Sequence, residues 1–347
     1  MKPRAMRCAC GAIDVHTHVV PAEFPRYAGS TVDVPWPSMA PAQPCHRHVM
    51  VQGKVFRTVT DRAWDPARRI EDMDALAVGA QVLSPMPELL SYWMDAKDAQ
   101  PLLRYINELI AQMVNQAPDR FIGLGAVPLQ DVDSAIAELE HVVTHLGLRG
   151  VEIAGNINNT VIGHAQFEPF WDAVESLDCA VFIHPLRPVG MERLVGPPML
   201  EHLLAFPSET GLALASLVTG GVLARHPRLR VAASHGGGTF AALLPRLQYG
   251  WEAREALRST MPLAPLELAK RLYFDTLVYD NAVIAQMVTR FGDTQLLMGS
   301  DFPFPIQDRD PAGRIAALGL PDNSRDRLLR GNAARWLGVE LVESGPQ

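Results

Sequence analysis

Eight short apolar runs, rich in β-branched and aromatic residues, recur along the chain, and stretches of helical periodicity separate them. The runs are Ala12–His16, Gln81–Ser84, Phe121–Ala126, Gly150–Ala154, Ala180–His184, Leu229–Ser234, Leu272–Leu277 and Gln295–Gly299. Helical patterns cover Asp65–Val78, Ala96–Gln116, Val132–Leu146, Phe167–Leu177, Pro207–Arg225, Thr239–Leu257, Asn281–Phe291 and Ser324–Leu337. Strands that alternate with helices pair in parallel, because the helix is what returns the chain to the same end of the sheet. Eight such units in 347 residues predict an α/β fold, a (β/α)8 TIM barrel, spanning 1–347 as one domain. One segment interrupts the rhythm. Residues 21–64, between the first and second strands, are rich in Pro and Gly and far exceed an ordinary connection. An insertion of that length is expected to be irregular and to act as a lid or small subdomain.

Charge and cysteine usage narrow the partners. With 31 basic against 38 acidic residues, the net charge of −7 and the absence of a basic stripe argue against nucleic acid. No apolar run approaches the roughly 20 residues of a membrane span, and no secretory signal follows Lys2, Arg4 and Arg7. Cys8, Cys10, Cys45 and Cys179 are too few and too irregular for a disulfide framework, so free thiols in the cytoplasm are expected. Cys8-x-Cys10 has no second pair to complete a zinc knuckle.

Ionisable residues gather at the strand ends. Asp14-Val15-His16-Thr17-His18 closes the first strand, and residues two apart on a strand share a face. That alternation predicts Asp14, His16 and His18 together on the inner face, where two imidazoles can grip one divalent ion. His184 ends the fifth run, His235 the sixth before Gly236-Gly237-Gly238, and Asp301 follows the eighth. The carboxyl ends of barrel strands are where such folds do chemistry. Burying this many imidazoles with a carboxylate is costly unless a metal or hydrogen bonds compensate.

The arrangement resembles the amidohydrolase superfamily, with H-x-H on strand one, His on strands five and six, and Asp on strand eight. Longer blocks are similar to its aminocarboxymuconate-semialdehyde decarboxylase-like family: Gly53–Arg57, Trp64–Asp74, Pro128–Asp131, His235–Phe240 and Gly299–Pro305. The resemblance implies a single zinc ion, with manganese possible in related branches, bound by His16, His18, His184 and Asp301. His235 is implied as the catalytic acid/base beside Asp301, Arg57 as a clamp for a substrate carboxylate, and Arg246 and Arg254 as groups that reach a neighbouring subunit. It also implies a homodimer or larger homo-oligomer and no membrane or nucleic-acid partner.

The activity so implied is metal-dependent, non-oxidative decarboxylation of a small unsaturated or aromatic carboxylate. 2-Amino-3-carboxymuconate 6-semialdehyde or a close analogue is the first substrate, and a γ-resorcylate-like hydroxybenzoate is an alternative. A mononuclear metallohydrolase opening a lactone or amide would use the same ligands. The fourth run lacks the lysine that bridges two metals in binuclear relatives, although Glu152 stands nearby. Pro185-Leu186-Arg187-Pro188 replaces the tryptophan-containing turn that the family leads one to expect, so this wall of the pocket differs. Arg246 and Arg254, eight residues apart, are expected on one face of one helix. His46-Arg47-His48 lies in the insertion and is read as surface with no strand behind it.

Overall fold

A computed structural model describes residues 4–8 and 11–343 of the chain. Cys10 and the side chain of Cys8 lie outside the described part, while Cys45 and Cys179 are free thiols. Among the described residues, Arg4–Cys8 pairs in parallel with Val339–Glu343 as a separate ribbon, and eight further parallel strands follow in order: β1 (Ala12–Val19), β2 (Val78–Pro85), β3 (Phe121–Gly123), β4 (Gly150–Ala154), β5 (Ala180–His184), β6 (Arg230–Ala233), β7 (Tyr273–Asp275) and β8 (Leu296–Leu297). They form a three-stranded sheet, β1-β2-β3, and a five-stranded sheet, β8-β7-β6-β5-β4. Contacts cross both gaps between the sheets. Gly125, just beyond β3, bridges to Val151 of β4, and the Val15 amide of β1 donates to the Met298 carbonyl after β8 at 2.9 Å.

Helices lie between the strands: α1 (Pro66–Ala75), α2 (Ala96–Gln116), α3 (Val132–Glu140), α4 (Glu168–Leu177), α5 (Phe206–Thr219), α6 (Phe240–Ala253), α7 (Asn281–Phe291) and α8 (Asn332–Leu337). Their starts are written locally. Asp65, Asp131 and Asp280 each turn a carboxylate onto the free amides of the following turn, and Pro66 opens α1 where a missing N–H costs nothing. None of the described helices is long and apolar enough to cross a membrane.

Two apolar layers hold the fold. Ile13, Val82, Ile122, Phe182, Ala232 and Leu297 come from different strands and meet in one cluster, closed below by Trp336 and Leu337 of α8. The opposite strand faces, including Val151, Val181, Ile183 and Val231, pack on the helices. Strands buried on both faces read as near-continuous apolar runs, which is why periodicity found them.

The structure corrects three expectations. Residues 21–64 are not wholly irregular: Pro37–Pro41, His46–Val51 and Lys54–Thr60 form a three-stranded antiparallel sheet, so His46 and His48 do lie on a strand. Prolines at the edge strand's two ends hid it, since edge strands tolerate the missing donor. The helix expected over Thr239–Leu257 breaks at Arg254, whose extended backbone (φ −129°, ψ 114°) ends α6. Arg246 and Arg254 therefore do not share one continuous helix. Finally, β1 departs from strict pairing between Asp14 and Thr17, which breaks the alternation that would put Asp14 beside the histidines.

Gly150 shows how tightly the strands approach. A Cβ there would stand 1.8 Å from the Ala180 carbonyl oxygen across the β4–β5 pair. Backbone cannot yield cheaply, so Gly150→Ala is expected to cost about 3 kcal/mol or more, read as a lowered denaturation midpoint; an unchanged midpoint would show that the two strands can separate.

Candidate metal centre and active site

Four side chains expected from the sequence meet at the carboxyl ends of β1 and β5 and just beyond β8. One ligand atom from each of His16, His18, His184 and Asp301 lies within 4.8 Å of the others, and all four residues are buried. The orientation of the imidazoles is fixed from behind. His16 Nδ1 meets the Asp275 carboxylate at 2.7 Å, His18 Nδ1 the Pro85 carbonyl at 3.0 Å, and His184 Nδ1 the Pro185 carbonyl at 2.8 Å. Each acceptor assigns the ring proton to Nδ1 and leaves the Nε2 lone pair free. Those lone pairs face each other: His16 Nε2 and His18 Nε2 are 3.1 Å apart.

Asp301 adds charge to the same point. Its Oδ1 stands 3.2 Å from His18 Nε2 and 3.6 Å from His16 Nε2, yet it is buried without a hydrogen bond. Both oxygens of Glu152 on β4 are also buried without one, and Oε2 is 3.8 Å from His18 Nδ1. Lone pairs and carboxylates converging in a buried site need a cation. The charges around His16 point the same way. Burial acts to lower its pKa, but the Asp275 hydrogen bond and the Asp301 charge outweigh it and raise it to about 9. A proton is drawn to where a positive ion belongs. Burial pushes Glu152 up to about 7, and it drives His184 well below the ordinary histidine value. The donor set of imidazole nitrogens and carboxylate oxygen suits a divalent transition ion.

His235 stands beside this group without joining it. Its ring lies 5.1 Å from that of His184 and 5.3 Å from that of His16, between centroids. Burial, then the charge of His16, lowers its pKa to about 4, so it is neutral at pH 7. His235 (φ 53°) and Asp301 (φ 67°) both occupy the left-handed region, which non-glycine residues enter only when the surroundings hold them there. The following glycines continue that turn. At Gly238 (φ 57°) a Cβ would come within 1.9 Å of the Pro207 carbonyl oxygen, so the loop can carry no side chain there.

A cavity of about 620 Å³ opens onto His184, His235 and Asp301, and Arg57 and Phe304 line its wall. Arg57 comes from the strand Lys54–Thr60, with its guanidinium 4.4 Å from the Phe304 ring centroid and 3.4 Å from Glu88. Arg246 and Arg254 are exposed and do not line this cavity. Asp14 accepts from the His16 amide at 3.2 Å and from Ser300, stapling β1 to the segment after β8 rather than joining the four ligand atoms.

Two further residues escaped the sequence reading. Asp275, at the end of β7, fixes His16 and also accepts from the backbone amides of His235 (3.0 Å) and Gly236 (2.7 Å). Its signal was present: the strand-end rule that located His184 and Asp301 applies equally to Phe274-Asp275. Arg69 is a fully buried cation that donates to Gln81 Oε1 at 2.9 Å and to the His18 carbonyl. It sits in a helical pattern, where nothing separates it from a surface arginine.

A family model described as amidohydrolase matches residues 13–339. The chain belongs to the amidohydrolase family. The 2-amino-3-carboxymuconate-6-semialdehyde decarboxylase of Dictyostelium discoideum is 36% identical over 330 residues, covering 94% of this chain and 92% of that protein. This places the amidohydrolase chain in the aminocarboxymuconate-semialdehyde decarboxylase-like branch. The γ-resorcylate decarboxylase of a Rhizobium species is 27% identical, over 84% of this chain and 92% of its own. Among solved structures, 5-carboxyvanillate decarboxylase from Sphingomonas paucimobilis superposes with a TM-score of 0.77 at 24% identity, covering 96% of this chain and all (100%) of that one. These relatives are carboxy-lyases by name.

Asp275 carries the first test of the centre. Asp275→Asn keeps the size but loses the charge and frees the His16 ring to flip. Metal affinity is expected to fall about 10–100-fold, measured by competition with a chromophoric chelator; unaltered affinity would mean that Asp275 does not set the His16 orientation.

Proposed function

We propose that this protein is a metal-dependent, non-oxidative decarboxylase of a small unsaturated or aromatic carboxylate. The observation that carries the reading is the convergence of three imidazole lone pairs and an unpartnered carboxylate beneath a cavity lined by an arginine and a neutral histidine. The favoured substrate is 2-amino-3-carboxymuconate 6-semialdehyde or a close analogue, following the Dictyostelium relative. A hydroxybenzoate of the γ-resorcylate type is the second reading, supported by the Rhizobium relative. We read the two parallel sheets and the contacts that cross their gaps as one closed (β/α)8 barrel, with residues 21–64 inserted over its mouth.

His16, His18, His184 and Asp301 would hold one ion, zinc by the nature of the donors; a related dihydroxybenzoic acid decarboxylase was solved with bound manganese. Bound there, a divalent ion supplies Lewis-acid charge that polarises the substrate's oxygens. The remaining work belongs to side chains. Arg57 clamps a carboxylate by charge-assisted hydrogen bonds, and Phe304 and Leu277 exclude water from the bound ring or diene. Decarboxylation consumes one proton: His235, neutral at rest, takes it from solvent and delivers it to the carbon that bears the leaving carboxylate. The C–C bond then breaks, its electron pair restores the unsaturated system, and carbon dioxide departs. A group with a pKa of about 4 is a strong acid once protonated, which suits this donation. A hydrolase reading would use the same ion against a lactone or amide carbonyl, and it predicts ring opening without carbon dioxide.

We further propose a homodimer or larger assembly in which Arg246 and Arg254 serve a neighbour's pocket. Exposed Leu243 and Tyr249 on α6, which carries Arg246, with Leu203 and Leu212 on the preceding helix and its approach, offer an apolar surface for it.

Three outcomes test this reading. Elemental analysis should give one divalent ion per chain, and chelation should abolish carbon dioxide release; two ions would bring in Glu152, and activity without metal would refute the mechanism. His235→Asn should lower turnover by at least about 10³-fold while metal content stays near that of the native chain; parallel loss of metal would make His235 a ligand. Mixing Arg254→Ala chains with His235→Ala chains should recover activity above either parent, because one site of each mixed dimer is then intact. Absence of recovery after verified subunit exchange would remove the arginines from the partner's site.

A further inference from the structure

A second cavity of about 310 Å³ lies beside the first and shares Phe56, Arg57, Glu88, His202 and Phe206 with it. Arg187 and Trp93 line only this second space. Arg187 follows the candidate ligand His184 by three residues and adopts φ 44°, a left-handed backbone held by its surroundings. Its guanidinium carbon stands 3.5 Å from the centroid of the Trp93 ring. Stacking occupies one face of the guanidinium and leaves its N–H edge available in a fixed plane.

That edge has no partner carboxylate among the described residues. Glu88 and Glu201 line the same cavity, but Glu88 pairs with Arg57 at 3.4 Å and Glu201 makes no ion pair with Arg187. The two arginines thus differ. Arg57 shares one guanidinium nitrogen with Glu88, whereas Arg187 presents a stacked, uncommitted fork. A group held in plane loses little side-chain freedom when it accepts a planar anion, so binding is not offset by ordering. Partial burial also lowers the Arg187 pKa below the ordinary arginine value, against the pull of Glu201 and Glu88. The residue itself is exposed, so an incoming anion can reach that edge.

We propose that the second cavity is a subsite for a second carboxylate of the substrate, received by Arg187 on its Trp93 platform, so that the protein selects dicarboxylates over monocarboxylates. The proposal rests on the decarboxylase reading only for the identity of the carboxylate that leaves. It assigns the wall formed by Pro185-Leu186-Arg187-Pro188 a recognition role, and Arg187 a part in specificity rather than in bond breaking.

The test uses equilibrium binding of unreactive probes to the metal-replete protein. Benzoate, isophthalate and terephthalate are titrated calorimetrically against the native chain, Arg187→Gln and Arg187→Lys. In the native chain one of the two dicarboxylates is expected to bind about tenfold or more tighter than benzoate, the worth of one charge-assisted contact. Arg187→Gln should erase that preference and leave benzoate within about twofold. Arg187→Lys keeps the charge but loses the fork and the stack, and it should lose at least about threefold of the preference. No preference in the native chain, or a preference unchanged in the variants, overturns the subsite. If Arg187→Gln does not fold, Arg187→Lys alone decides. Since binding is read without turnover, the two readings fail separately. Dicarboxylate selection through Arg187 with no carbon dioxide from any substrate refutes the decarboxylase and keeps the subsite. A working decarboxylase whose selection ignores Arg187 refutes the subsite alone.

Discussion

Everything at this site depends on three imidazoles being held from behind. Asp275 and the carbonyls of Pro85 and Pro185 each take a ring N–H, and the opposite nitrogens are thereby aimed at one point. Left to itself such a point is unfavourable, because lone pairs oppose one another and Asp301 Oδ1 and both oxygens of Glu152 go without donors. One cation reverses the sign of every one of those interactions. The fold supplies the rigidity, with strands buried on both faces and their ends stapled by backbone bonds such as Asp301 N–H to the His16 carbonyl at 2.8 Å.

The same constraint explains where backbone freedom has been given up. Asp301 and His235 occupy left-handed conformations, and three successive glycines with positive φ follow His235. Strain of this kind persists when the surroundings over-determine it. Here Asp275 does much of that work. One carboxylate orients His16 and accepts the amides of His235 and Gly236, so the candidate ligand and the neighbouring acid/base candidate share a single anchor.

Much of this was legible in the sequence because its signals were local. Apolar runs ending in His16, His18, His184, His235 and Asp301 reveal both the strands and the end at which chemistry gathers. Features that depend on tertiary partners were not legible. The antiparallel sheet of residues 37–60 is short and has prolines at its edge, so neither alternation nor length distinguishes it from loop. Asp14 parts from the histidines because β1 is irregular, which no spacing rule reveals. Arg69 reads as one more helical arginine until its burial against the β1 terminus is seen. Arg254 breaks a helix in a stretch that contains no proline or glycine at that position.

The central claim is that these four residues form one cation site, and anomalous diffraction from the metal-replete crystal tests it most directly. The account predicts a single peak about 2.0–2.3 Å from nitrogens of His16, His18 and His184 and an oxygen of Asp301. A peak elsewhere, a second peak against Glu152, or a replete crystal with no peak between the imidazoles would contradict it.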